Sequence, residues 1–304
     1  MSTGGILGLG ALAGCTIFIG LPVGRMRRLS PSVRTLLNAI AIGILVFLVF
    51  DVLEHAVEPI DNRLGMLTTP ADHPGTHESW WGFLGHASLL GLGLGVGLLT
   101  LVYYDRLLPR RPAAGAGVGG ASIGATPGGA AGTSVGPGAA AVQEFAERTA
   151  ASSAARRLAV MIATGIGLHN FAEGLAIGQS AAAGEISLAV LLVIGFGLHN
   201  ATEGFGIVGP LAGEAERPSW GFLAVLGLIG GGPTFVGTLL GQAVHSDAVS
   251  VAFLALAAGS ILYVVVQLVG VALRAGHKEM LYWGVFVGLV LGFATDFLVT
   301  AAGA

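Results

Sequence analysis

Eight apolar stretches of about twenty residues or more run through this chain, at roughly 4–24, 34–58, 80–104, 156–181, 186–212, 219–243, 248–273 and 280–302. A helix of that length crosses the hydrocarbon core of a bilayer. The backbone polar groups of such a segment must be satisfied inside the protein, and a helix does this within itself. The pattern therefore predicts an all-α, polytopic membrane protein. Composition agrees, with 54% hydrophobic residues, 10% charged residues and a mean hydropathy of +0.82, where soluble chains carry about a quarter charged residues. The 51 glycines suit helices whose backbones approach closely in lipid. The single cysteine, Cys15, excludes a disulfide framework and a thiolate zinc cage. Met1 to Gly5 lack a basic region, and Arg25, Arg27 and Arg28 follow the first apolar stretch, which reads as a retained helix.

Lysine and arginine set the expected orientation. With the N-terminus outside, the inner loops hold Arg25, Arg27, Arg28 and Arg34, then Arg106, Arg110, Arg111, Arg148, Arg156 and Arg157, then Arg217, then Arg274 and Lys278. Only Arg63 falls on the other side. The bias predicts eight spans with both termini extracytoplasmic.

Inside two of these stretches one phrase is repeated in register. Gly165-Ile166-Gly167-Leu168-His169-Asn170-Phe171-Ala172-Glu173-Gly174 lies in the fourth, and Gly195-Phe196-Gly197-Leu198-His199-Asn200-Ala201-Thr202-Glu203-Gly204 in the fifth. His and Glu four apart share one helix face, with Asn one position round. A carboxylate at the bilayer centre costs roughly 2.5–3.5 kcal/mol on insertion scales, so an intramembrane acid is a functional candidate by default. Imidazole and carboxylate together suit a borderline divalent ion such as Zn²⁺, and Fe²⁺ or Mn²⁺ less selectively. A tight turn at Ala181–Glu185 makes the two helices antiparallel neighbours, so the two copies meet near the midplane and His169, Glu173, His199 and Glu203 form a four-ligand set.

Other polar residues are placed less sharply. Asp51, Glu54, His55 and Glu58 line one face at the outer end of the second stretch. Glu58 reads as a solvated helix end; Asp51 and Glu54 read either the same way or as the wall of a vestibule that gathers cations. Asp72, His73, His77, Glu78 and His86 are either outer capture ligands or polar surface, next to the interfacial Trp80 and Trp81. Residues 109 to about 140 are almost wholly Gly, Ala, Pro, Ser and Thr, which predicts a flexible linker. Gln143 to Arg157 reads as a short amphipathic lead-in to the fourth span. Gly230 to Thr234 predicts a kink in the sixth span. The turn His245-Ser246-Asp247 reads as loop polarity. Tyr263 and Gln267 stand out in the seventh span, and Asp296 in the eighth. No Gly-rich phrase follows a strand or carries a phosphate-loop lysine, so neither nucleotide nor nucleic acid is expected.

On the two His-Asn-x-x-Glu-Gly phrases, and on Ser260-Ile261-Leu262-Tyr263-Val264-Val265-Val266, the chain resembles the ZIP (Zrt-, Irt-like) family of divalent metal transporters. The resemblance implies eight helices in a 3+2+3 arrangement with inverted repeats, an elevator-like motion, and import of zinc or a related ion into the cytoplasm. It divides the chain into helices 1–3 (residues 1–108), a cytoplasmic loop (109–155), and helices 4–8 with the metal site (156–304). Carried over, His169, Glu173, His199 and Glu203 are the primary ligands, and Asn170 and Asn200 border a neighbouring position. The metal is substrate, with no prosthetic group; the expected partners are divalent ions, the bilayer of the plasma membrane and a second copy of the chain. Ala172 and Thr202 replace the Pro that usually precedes each Glu. Gly232 replaces a Glu found in members with two adjacent metals, so one tightly held metal is expected. The alternative of another class is an intramembrane metal-dependent hydrolase, in which two His and two Glu hold zinc and activate water.

Overall fold

The computed structural model describes residues 2–26, 30–68, 79–107, 137–211, 214, 216–243 and 246–301. The linker residues 109–136, the outer-loop candidates Asp72, His73, His77 and Glu78, and also Arg27, Arg28 and His245, lie outside the described residues. Everything regular among the described residues is helical. The first apolar stretch is broken into α1 (Thr3–Cys15), α2 (Ile17–Gly20) and a 3-10 turn (Leu21–Arg25). Each of the other stretches forms one long helix: α3 (Pro31–Thr68), α4 (Trp80–Leu107), α5 (Pro137–Ala182), α6 (Ile186–Val208), α7 (Trp220–Gly241), α8 (Asp247–Arg274) and α9 (Lys278–Ala301). Together they give eight segments long and apolar enough to cross a membrane.

Local chemistry sets the ends. Ser2 caps α1 by accepting from the Gly5 N–H, and Ser219 caps α7 by accepting from the Phe222 N–H at 3.1 Å. Gly184, at φ 90°, makes the left-handed turn between α5 and α6 that a side chain would strain. Two helices outrun their apolar stretches. α3 continues to Thr68 through exposed Asp61 and Asn62, and Arg63 there lies 3.5 Å from Asp247 at the start of α8. α5 is helical from Pro137, so the lead-in expected over Gln143–Arg157 is continuous with the span and begins six residues earlier. Hydropathy is silent in both places because the extra turns lie outside the apolar run, where propensity alone sustains a helix.

α5 is the centre of the bundle: 72% of its apolar window is buried, against 11% for α4 and 22% for α9. It packs most extensively on α7, and also against α8, α6 and α1. α3 packs on α9 and α4 on α8, and α3 and α8 meet each other. The core joins Ile17, Ile42, Leu45, Ile162, Ile166, Ile207, Leu226, Ile261 and Leu268 from six helices. On α4 and α9, Leu92, Val96, Trp283, Phe286 and Phe297 remain exposed, as lipid-facing surface requires. The duplicated phrase thus sits on the most enclosed helix and on its neighbour.

Candidate metal centre

The repeated phrase divides its labour by helix face. On α5, Gly167 and Gly174 are seven residues apart and lie against the backbone of α7, at the Ile229 and Thr234 carbonyls. A Cβ on Gly174 would run into the Thr234 oxygen. On α6, Gly204 lies against the Ile17 carbonyl in the same way, while Gly197 faces the Thr16 side chain more loosely. Each phrase therefore uses its glycines to bring the helix onto a neighbour, which aims His and Glu, one position short of Asn and Gly, into the space between α5 and α6.

In that space three ligand atoms converge. His169 Nε2 is 2.9 Å from Glu173 Oε1, and His199 Nε2 is 2.5 Å from the same oxygen. One donor atom from each of His169, Glu173 and His199 lies within 4.8 Å of the others. Contacts of this length between imidazole and carboxylate are charge-assisted hydrogen-bond distances. Two ligands of a tetrahedral zinc, each about 2.0–2.2 Å from the ion, lie about 3.4 Å apart, so a bound ion would spread this trio slightly. Glu203 stands beside the trio, its Oε1 3.9 Å from His169 Nε2. Four side chains expected from the sequence are thus gathered, but unequally: Glu173 touches both histidines, and Glu203 approaches one.

Both acids and both asparagines are buried. Glu173 Oε2, both Glu203 oxygens, and the Oδ1 atoms of Asn170 and Asn200 have no hydrogen-bond partner among the described residues. Unpaired buried carboxylate oxygens are costly. A divalent cation is the group that would satisfy them, and hard oxygen with imidazole is a donor set it accepts. The donor chemistry fits a metal as cargo.

The remaining candidates separate. Asp51 is half-buried and interacts electrostatically with Asp296 of α9 and with His199 and His169. Glu54 and His55 are exposed. His86 turns Nδ1 to the Gly82 carbonyl of its own helix at 2.9 Å. Thr202 Oγ1 donates back to the His199 carbonyl at 2.6 Å, where a Pro is absent. α7 runs through Pro233 as one helix, and a Cβ on Gly232 would meet nothing within 4 Å. Tyr263 is buried against Met161, its hydroxyl 3.6 Å from the sulfur. Sequence reasoning missed several partners. Asn170 Nδ2 donates to the Gly230 carbonyl and Asn200 Nδ2 to the Ala13 carbonyl. Asn38 is buried on α3, donating to the Leu268 carbonyl at 3.3 Å. Thr234, buried on α7, was overlooked too. Only the repeat of His-Asn in both phrases hinted at the two asparagine contacts; backbone acceptors leave no trace in a sequence.

An eight-span helical membrane protein with a histidine–carboxylate cluster buried at its centre is the class that fold and site define. Residues 129–300 match the family model described as ZIP Zinc transporter, and the chain belongs to that family. It is an integral membrane protein of a divalent metal transporter family. Among curated proteins, none matches the chain.

Proposed function

We propose that the chain carries zinc across the membrane into the cytoplasm through a site made by His169, Glu173 and His199, with Glu203 completing it and Asn170 and Asn200 alongside. The observation that carries this reading is the shared Glu173 oxygen between two imidazoles from two antiparallel helices, next to orphaned carboxylate oxygens. Facing helices at the midplane are where secondary transporters hold their substrates. Asp51 with Asp296 forms the outer, acidic approach to the site, and the connection between the first three and last five spans lies on the inner side. The matched packing of α3 on α9 and α4 on α8 supports a 3+2+3 arrangement of the spans. The plasma membrane is the proposed location. Zinc uptake by liposomes holding purified protein, competed by Cd²⁺, Fe²⁺ and Mn²⁺, tests transport and ranks the metals.

Orientation is checked by labelling. In a Cys15→Ala background, Ser219→Cys should react with an impermeant maleimide only after permeabilisation, and Ala183→Cys should react in intact cells. The reverse pattern would turn the protein over.

One metal per chain is expected in the site. Two dications a few ångströms apart repel by several kcal/mol even at an effective dielectric of about 20. Glu173 and Glu203 balance one such charge; Asn170 and Asn200 are neutral, and Gly232 adds no donor. Calorimetry on purified protein, with His73 and His77 replaced, should give one high-affinity zinc, and Gly232→Glu should add occupancy of a second position. Two equivalent high-affinity ions in the unaltered site would contradict the charge argument.

A further inference from the structure

The residue after each histidine has a partner of its own. Asn170 Nδ2 donates to the Gly230 carbonyl of α7 at 3.0 Å, and Asn200 Nδ2 donates to the Ala13 carbonyl of α1 at 3.2 Å. Both asparagines are fully buried, and both Oδ1 atoms are buried without a hydrogen-bond partner among the described residues. The two acceptors sit in different settings: the Ala13 carbonyl is at the end of α1, and the Gly230 carbonyl follows Ile229, whose helical partner is missing at Pro233. Pro233 lacks an N–H inside α7. Thr16 ends α1, and its own N–H and hydroxyl turn to the Ala13 carbonyl at 3.2 and 2.6 Å.

We propose that Asn170 and Asn200 are positioning residues that work only as carboxamides: the N–H half of each clasps the backbone of a neighbouring helix and so fixes the histidine that precedes it. This rests on the reading of His169, Glu173, His199 and Glu203 as the transport site. If oxygen donation were all that mattered, aspartate would serve better, since it has the same shape and adds charge. Aspartate has no N–H to offer a carbonyl at neutral pH. One of its oxygens would face the Gly230 or Ala13 oxygen across a hydrogen-bond distance, buried and unpaired. Its charge would join two carboxylates already in need of a cation. The clasps also explain why both copies of the phrase carry Asn next to His: α5 is tied to α7 and α6 to α1 one residue from a ligand, so the imidazole cannot drift along the helix neighbour it packs on.

The test uses the purified full-length protein with Asn170→Asp and Asn200→Asp, read two ways. Metal-free protein, held in chelator, is melted in detergent, and zinc uptake is measured in liposomes across zinc concentrations. Each variant should melt below wild type without metal, and its maximal uptake rate should fall by at least about tenfold, as misplaced ligands do, with no rise in KM. Wild-type melting with equal or faster uptake would overturn the proposal, since a plain ligand role is strengthened by the added charge. Where an aspartate variant does not fold, Asn170→Ala and Asn200→Ala replace it; a wild-type melting temperature of their metal-free form would equally overturn it. Glu203→Ala, measured alongside, separates the two readings. Undiminished uptake in Glu203→Ala would remove the transport site, while metal-free melting reports on the clasps either way.

Discussion

Glu173→Ala is expected to abolish metal uptake while the protein still reaches the membrane. Its Oε1 is the one atom that touches both imidazoles, at 2.9 and 2.5 Å. Removing it deletes an anionic ligand and also leaves two buried histidines without the group that orients them. Loss of a residue that merely supports a ligand costs 10–100-fold in metal affinity, so loss of this one should lower uptake by about a hundredfold. Glu203→Ala should lower it by at least about tenfold, because Glu203 reaches only His169, at 3.9 Å. The order matters as much as the size. Surface expression equal to wild type, with uptake lost more completely in Glu173→Ala, is the expected result; equal and mild losses would mean that neither acid is central.

The second large effect is on assembly. Gly174 sits where α5 crosses α7, and a side chain there would meet the Thr234 carbonyl, which is backbone and cannot swing away. Overpacking a core with flexible neighbours costs about 1–3 kcal/mol. Against a backbone oxygen between two buried helices, Gly174→Val should exceed that range and deplete the folded protein. Gly95→Val is the control, because nothing lies within 4 Å of a Cβ there. Size-exclusion of detergent-solubilised protein should show a sharp peak for Gly95→Val and aggregate for Gly174→Val. A well-behaved Gly174→Val with normal uptake would show that the glycine is not where the helices touch.

These two expectations mark how much of the molecule was legible beforehand. The spans were, because length and apolarity are read without knowing any partner. The ligands were, because an acid repeated in register inside two apolar runs has few structural uses. What was hidden is whatever depends on a neighbour. Two identical phrases predict equivalent histidines and acids, yet the fold places Glu173 between both imidazoles and Glu203 to one side. The glycine at the end of each phrase looked like part of a motif and is a contact surface. The first span read as one apolar stretch. In the structure it breaks at Thr16, and its Ala13 carbonyl holds Asn200. Pro233 lies within α7 and removes one of that helix's N–H donors. Helix ends at Thr68 and Pro137 escaped because hydropathy reports where lipid ends, not where hydrogen bonding does.

The central claim is that a divalent cation passes through the His169–Glu173–His199 cluster. Radioactive zinc uptake by liposomes containing purified protein tests it most directly, with His169→Ala, Glu173→Ala and His199→Ala measured at matched protein content. The account predicts saturable, time-dependent accumulation by wild type and near-background uptake by each variant. Accumulation no greater than in empty liposomes, or unchanged uptake by the three variants, would contradict it.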